Sequence, residues 1–272
     1  MKVTFIGGGN MASALIGGLL QQNFPMTQIH VVEINAETAN RINQQFGVST
    51  TTDLIKGISG SNVIVLAIKP QQLHAVTQAL KPLLTSQLVI SIAAGVRTRD
   101  LSRWLGNYQY IVRAMPNTPA LVRAGMTGLY AIPSVSVALR DDATTILGAV
   151  GSVLWLEEED QLDAVTAVSG SGPAYLFYFM EAMEQAGVEL GLTLDQAREL
   201  TIHTFIGASQ LAYQSHEDVA VLRSRVTSKG GTTEQALLSM SQDDVKNEII
   251  RAAFAAYKRA QQLGDELGQV DG

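Results

Sequence analysis

The chain opens with a strand that runs straight into a glycine loop and then a helix, and few folds use that order. Val3-Thr4-Phe5-Ile6 is a short apolar strand, and Gly7-Gly8-Gly9-Asn10-Met11-Ala12 follows it as G-x-G-x-x-A. Ala14, Leu15, Ile16, Leu19 and Leu20 continue the segment as an apolar helix. Gly7 permits the tight turn, Gly9 lacks the Cβ that would block a pyrophosphate, and Ala12 lets helix and strand pack closely. The N–H groups at the helix start face the anion. The pattern points to a dinucleotide site; the plainer alternative is a glycine-rich turn before a core helix.

The first half alternates strand and helix. Candidate strands are 29–33, 63–67, 88–92, 110–114 and 128–132, with a last short one at 153–156, and helical stretches lie near 36–46, 70–81, 98–105 and 136–150. This alternation predicts an α/β fold, a mostly parallel, doubly wound sheet of the Rossmann type. The run Val63-Ile64-Val65-Leu66-Ala67 reads as a central strand buried on both faces. Past residue 160 the pattern becomes helical. Pro173 suits the first turn of a helix carrying Leu176, Phe179, Met180, Met183, Ala186 and Leu190 at three- and four-residue spacing. A second helix is expected over 195–213, and a last one carries Val245, Ile249, Ala253, Ala256, Ala260 and Leu263. The expected division is a dinucleotide-binding domain at 1–160 and an all-α domain at 161–272. The apolar richness of the helices suits a buried oligomer interface, with a compact monomeric bundle as the alternative.

Composition excludes several function classes. Net charge is -6 and no Lys/Arg cluster occurs, which argues against nucleic acid. There is no Cys, hence no disulfide, thiolate metal site or cysteine nucleophile, as suits a cytoplasmic protein. His30, His74, His203 and His216 have no metal-like spacing, so no metal is expected. No apolar run approaches the roughly 18 residues of a membrane helix, and a strand beginning at residue 3 leaves no room for a signal peptide.

A dinucleotide fold places an acid about 20 residues past the first glycine, at the end of the second strand, to bind the ribose diol. Glu33 holds that place, and a carboxylate there repels a 2′-phosphate. Arg41 lies a full helix away, so NADH is expected over NADPH. Ala67, Lys69 and Pro70 follow one strand, and Ala93, Ala94 and Gly95 the next. With Gly7, Gly9, Asn10, Met11 and Asn35, they make the candidate cofactor site. A second signal is Val226-Thr-Ser-Lys-Gly-Gly-Thr-Thr-Glu-Gln235. Thr232-x-x-Gln235 reads as a capping box, and glycines before a helix start make either an anion site for a small carboxylate or a flexible lead-in to the helix.

Four segments resemble the pyrroline-5-carboxylate reductase family: Gly7–Ala12, Arg113-Ala-Met-Pro-Asn-Thr-Pro-Ala120, Val168-Ser-Gly-Ser-Gly-Pro-Ala-Tyr175 and Thr227-Ser-Lys-Gly-Gly-Thr-Thr233. The resemblance runs in register over almost the whole chain. It implies that NAD(P)H reduces the imine of 1-pyrroline-5-carboxylate to L-proline, the last step of proline biosynthesis. It also implies a homodimer with interlocked helical domains, in some relatives built into decamers. Each substrate site then joins one chain's cofactor domain to its partner's helical loop. On the resemblance, Ser228, Gly230, Gly231 and Thr232 cradle the substrate carboxylate, and Thr233, the candidate catalytic residue, sits by the ring nitrogen. Glu159 matches an acid near the ligand, although the run 157–160 also reads as a solvated acidic stretch. Asn117 lies in a matching segment that also reads as a structural turn. Two departures stand out. Glu33 replaces the hydroxyl or amide that many relatives place near a 2′-phosphate, and Arg225 stands where relatives often carry Asn.

A C=N bond accepts hydride best with its nitrogen protonated, and holding the imine carbon about 3–3.5 Å from the nicotinamide supplies much of the rate. A β-hydroxyacid dehydrogenase is the rival enzyme, but it needs a catalytic Lys on a helix of the second domain. Lys229 is in a loop, and Lys246 and Lys258 lie on the last helix. A non-enzymatic NAD(H) sensor is the other alternative.

Overall fold

The computed structural model describes residues 1–269. Eight strands form one sheet: β1 (Val3–Ile6), β2 (Ile29–Val32), β3 (Ser49–Thr51), β4 (Val63–Leu66), β5 (Leu88–Ser91), β6 (Ile111–Met115), β7 (Gly125–Ala131) and β8 (Gly151–Trp155). Their order is β3-β2-β1-β4-β5-β6-β7-β8. Among the described residues only β6 and β7 pair antiparallel. The connection between them holds a single 3-10 turn, Thr118–Val122, too short for a crossover helix.

Helices α1 (Asn10–Gln21), α2 (Ala36–Phe46), α3 (Leu54–Ile58), α4 (Pro70–Leu80), α5 (Thr98–Trp104) and α6 (Val137–Leu147) alternate with the strands. The central strands feed two cores because successive side chains point to opposite faces. Val63 and Val65 of β4 pack with Leu15, Ile16 and Leu19 of α1 and with Ile146 of α6. Ile64 and Leu66 pack instead with Leu73 and Leu80 of α4 and with Leu101 of α5. That is why β4 is apolar at every position, and each such side chain contributes about 1.5–3 kcal/mol on burial.

The polar strand β3 and the short α3 were not expected from the sequence. Ser49-Thr50-Thr51 alternates no apolar residues and pairs on one side only, with β2, at the sheet edge.

Next come α7 (Gln161–Val165), a π turn at Thr166–Gly170, α8 (Gly172–Glu189), α9 (Leu194–Gln214), α10 (Val219–Arg225), α11 (Thr232–Gln242) and α12 (Val245–Gly268). No strand occurs among the described residues after β8. The described residues divide into two compact units, residues 1–171 with 256–269, and residues 172–255. In the second unit α8 and α9 form a helical hairpin. Thr193 caps α9 in a box with Gln196, and Gly187 lies so close to Ala197 that a methyl group would fall 2.8 Å from its Cβ. Most other large apolar side chains of this unit face outward; Phe177 is 63% and Phe254 66% exposed.

Candidate active site

The turn after β1 is built on backbone contacts. Gly7 has φ +97°, and its N–H donates to the Val32 carbonyl at 2.8 Å. A methyl group at Gly7 would lie 2.5 Å from the Ala67 carbonyl oxygen, so the strand end packs there without any side chain between. Gly9 differs: it caps α1 in extended backbone, and a methyl group there meets nothing within 4 Å. Asn10 is exposed and Met11 half-buried, at the start of α1.

Glu33 reaches back to this turn. Its Oε2 accepts the Gly8 N–H at 2.7 Å and its Oε1 the Asn35 N–H at 2.8 Å. The carboxylate is thereby fixed beside the loop, and each oxygen keeps a lone pair for a further donor. The Asn35 side chain is occupied otherwise, accepting the Thr38 N–H as the cap of α2. A cleft of ≈ 280 Å³ opens here, lined by Gly7, Glu33, Ile34, Leu54, Ile68 and Val76 among others. Apolar walls beside a fixed carboxylate suit an adenosine half.

Arg41 is not remote: its Nη2 donates to the Gly8 carbonyl at 3.2 Å. Side chains of a helix lean toward its N-terminus, and Thr38, Arg41 and Ile42 share the face of α2 that covers Gly8. Spacing of three and four from Thr38 was the available signal, and the distance along the chain concealed it. Gly8 is equally constrained: a methyl group there would collide with Ile42 and come within 3.2 Å of Glu33 Oε2.

The other strand ends complete this side. Ala67 is half-buried, Lys69 is exposed, and Pro70 opens α4, where the Lys69 N–H donates to Gln72 Oε1 at 3.3 Å. Ala93 is buried and Ala94 half-buried, and Gly95 takes φ +85°. Asn117 ties its segment down. Its amide donates to the Ser169 Oγ at 3.1 Å, and its carbonyl accepts the Met126 N–H at 2.9 Å, which is a turn-fixing role.

Glu159 is not a solvated acid. Oε1 accepts the Thr98 N–H at 2.7 Å and an Arg113 N–H at 3.0 Å, while Oε2 accepts the Thr98 hydroxyl at 2.6 Å. Arg113 also faces Asp163 at 3.5 Å. Burial pushes the Asp163 carboxyl up, against the opposing pull of Arg113 and Arg97. Sequence spacing could not reveal this cluster, because β6, α5 and α7 contribute to it from separate parts of the chain.

In the second unit, the loop before α11 is folded on itself. Gly230 has φ +74°, and the Gly231 N–H donates to the Ser228 carbonyl at 3.0 Å. The expected capping box is corrected: Gly231 is the cap, Thr232 is the first helical residue, and Glu234 rather than Gln235 reaches back, accepting the Gly230 N–H at 2.7 Å. Glycine at the cap lets Ser228 approach; a methyl group would fall 2.5 Å from its Oγ. Ser228, Gly230 and Thr232 are exposed, and Gly231 and Thr233 half-buried. The first-turn N–H groups of a helix have no partner inside it, so Thr232 and Thr233 present donors. Arg225 is engaged within its own unit, 2.5 Å from Glu217. No group of His, Asp or Glu suited to a metal ion occurs among the described residues.

A pyrroline-5-carboxylate reductase from Pseudomonas aeruginosa is 46% identical to the chain over 98% of both. The chain belongs to the pyrroline-5-carboxylate reductase family. A solved pyrroline-5-carboxylate reductase from Coxiella burnetii is 43% identical, with TM-score 0.92 over 96% of this chain and 98% of that one. The Plasmodium falciparum pyrroline carboxylate reductase with NADP bound is 28% identical, with TM-score 0.85 over 97% of this chain and 98% of that one. The model for pyrroline-5-carboxylate reductase dimerisation matches residues 159–263, and that for NADP oxidoreductase, coenzyme F420-dependent, matches residues 2–95. As a member of the pyrroline-5-carboxylate reductase family, the chain is an NAD(P)-dependent oxidoreductase of proline biosynthesis. Its sheet is the NAD(P)-binding part, and residues 159–263 are its dimerisation domain. No helix among the described residues is long and apolar enough to cross a membrane.

Proposed function

We propose that the chain reduces 1-pyrroline-5-carboxylate to L-proline with NADH, as a cytoplasmic homodimer in which each substrate site takes the α11 loop from the partner. The observation that carries this reading is the start of α11, where Gly231 caps the helix and Thr232 and Thr233 offer first-turn donors. The substrate carboxylate binds there, on Ser228 and Thr232, and Gly231 serves as the cap, its own N–H taken by the Ser228 carbonyl. Gly230 shapes the loop through its positive φ, since its own N–H is taken by Glu234. Thr233 places its hydroxyl at the ring nitrogen. Glu159, fixed by Thr98 and paired with Arg113, shapes the substrate side of the site. Bound NADH supplies the hydride. Gly7, Gly9, Asn10, Met11, Ala67, Lys69, Pro70 and residues 93–95 hold the cofactor, and the exposed apolar faces of α8 and α9 pair in the dimer.

Hydrogen bonds to charged groups are worth about 1.5–3 kcal/mol. Thr233→Ala should therefore lower kcat/KM for the imine about 10- to 100-fold. Steady-state kinetics on the folded variant checks this, and wild-type turnover together with wild-type affinity would refute the role.

Glu33 sets the cofactor preference. Its fixed carboxylate accepts the ribose diol and repels a 2′-phosphate. Arg41 pulls the other way, since its guanidinium beside Gly8 attracts an anion, so the preference is a ratio and not an exclusion. The ratio of kcat/KM for NADH over NADPH should exceed one, and Glu33→Gln should lower it about tenfold. A ratio already favouring NADPH in the wild type would overturn the assignment.

A further inference from the structure

The loop after β5 is pinned from outside by the last helix. A methyl group at Gly95 would lie 2.9 Å from Leu267 Cδ1 and 3.4 Å from Leu263 Cβ of α12. The approach is mutual. A methyl group at Gly264 would lie 2.9 Å from Arg97 Nε and 3.1 Å from the Gly95 carbonyl oxygen, and one at Gly268 would lie 2.6 Å from Asp100 Oδ2. Gly264 and Gly268 are one helical turn apart, in line with the buried Ala260. Polar contacts lock the same seam. Arg97 lies 3.5 Å from Asp265, 3.3 Å from Asp160 and 3.9 Å from Asp163. Arg103 donates to the Gly268 carbonyl at 2.6 Å.

We infer that Gly264 is a positioning residue for cofactor binding, acting through Gly95 and Arg97 and never touching the cofactor. The inference rests on the reading that residues 93–95 meet the cofactor. A larger side chain at Gly264 must displace the Arg97 guanidinium from its aspartates, the Gly95 carbonyl, or α12. Inward movement of the loop is blocked, because Ala93 and Val96 are packed in the core with Leu66, Val89 and Leu101. The Thr98 end is held by Glu159. Any shift of the Gly95 carbonyl is therefore taken up in Ala94-Gly95, between the held residues Ala93 and Val96 and within the stretch assigned to the cofactor.

The test is Gly264→Val in the full-length protein, with NADH dissociation constants from fluorescence, KM for each substrate, kcat and thermal stability. A small misplacement of a positioning loop is costly. The NADH dissociation constant and KM should rise about tenfold or more, while the imine KM and kcat at saturating NADH stay within about twofold. An unchanged NADH dissociation constant, or an equal rise in both KM values, overturns the inference. If Gly264→Val fails to fold, Asp265→Asn and Leu267→Ala carry the test. Each should loosen the loop and raise the NADH dissociation constant about threefold, and no change in either overturns the inference. Ala94→Asp separates the two levels. If it abolishes NADH binding while Gly264→Val does not, the loop binds cofactor and the positioning role is wrong. If neither affects NADH binding, the loop assignment falls with it.

Discussion

Arg113→Met should destabilise the protein by about 3–5 kcal/mol, the usual cost of removing one partner from a buried ion cluster. Arg113 is 5% exposed in its side chain and Asp163 only 3%. Methionine fills a similar volume in the middle of β6 but leaves the Glu159 and Asp163 carboxylates without their nearest cation. Arg97, 3.9 Å from Asp163, compensates little. The sign of the pH dependence follows from burial. Asp163 already has its carboxyl raised in the folded state, mainly by burial, and Arg113 is the first of the groups opposing that rise. Without Arg113 the folded state binds the Asp163 proton more tightly still than the unfolded chain does. Stability then falls as pH rises through the raised titration range and recovers below it. Urea unfolding should accordingly show the largest deficit near neutral pH and a smaller one in mild acid. A deficit of the same size at both pH values would mean that lost packing, not uncompensated charge, is the cause.

The features visible in the sequence are those encoded by neighbours. The all-apolar β4 run announces burial on both faces, and the strand–glycine–helix order announces a dinucleotide turn. Pro173 marks the start of α8, where helix and proline coincide. The features that escaped are set by partners far away in the chain. Glu159 looks like one member of an acidic run, yet Thr98 and Arg113 claim both its oxygens. Arg41 looks remote until α2 folds back over Gly8. Ser49-Thr50-Thr51 has no apolar period because an edge strand needs backbone pairing on one side only. The cap of α11 lies one residue before the one its sequence suggests, since Thr232 has the usual chemistry of a cap but Gly231 has the close approach to Ser228. The last helix was legible as a helix, but nothing in its spacing says that its final turns belong with the sheet.

Gly7 and Gly9 look equivalent in the motif, and substitution should separate them sharply. Gly7→Ala is expected to be a folding defect. The left-handed backbone at φ +97° costs an L-residue about 1–2 kcal/mol, and the added methyl meets the Ala67 carbonyl at 2.5 Å and Ile68 Cγ2 at 2.7 Å. Neither neighbour can yield easily, because Ala67 donates its N–H to Ile6 at 2.8 Å in the central ladder. Gly9→Thr is expected to be a binding defect on an intact fold. Gly9 has φ -70° and ψ -175°, an extended backbone that threonine adopts, and a Cβ there meets no protein atom within 4 Å. Threonine also caps a helix about as well as glycine, so α1 should keep its start. What the branched side chain fills is the space in front of the α1 N–H groups, where a pyrophosphate would bind. Losing one or two charge-assisted hydrogen bonds at about 1.5–3 kcal/mol each lowers cofactor affinity about 10-fold at the least and about 100-fold or more when both are lost. Thermal unfolding and NADH titration on the two variants decide it. Gly7→Ala should lose several degrees of Tm, and Gly9→Thr should keep its Tm and lose the cofactor. If Gly9→Thr binds NADH normally, the open space beside Gly9 is not the pyrophosphate site, and the cofactor must lie elsewhere along the strand ends.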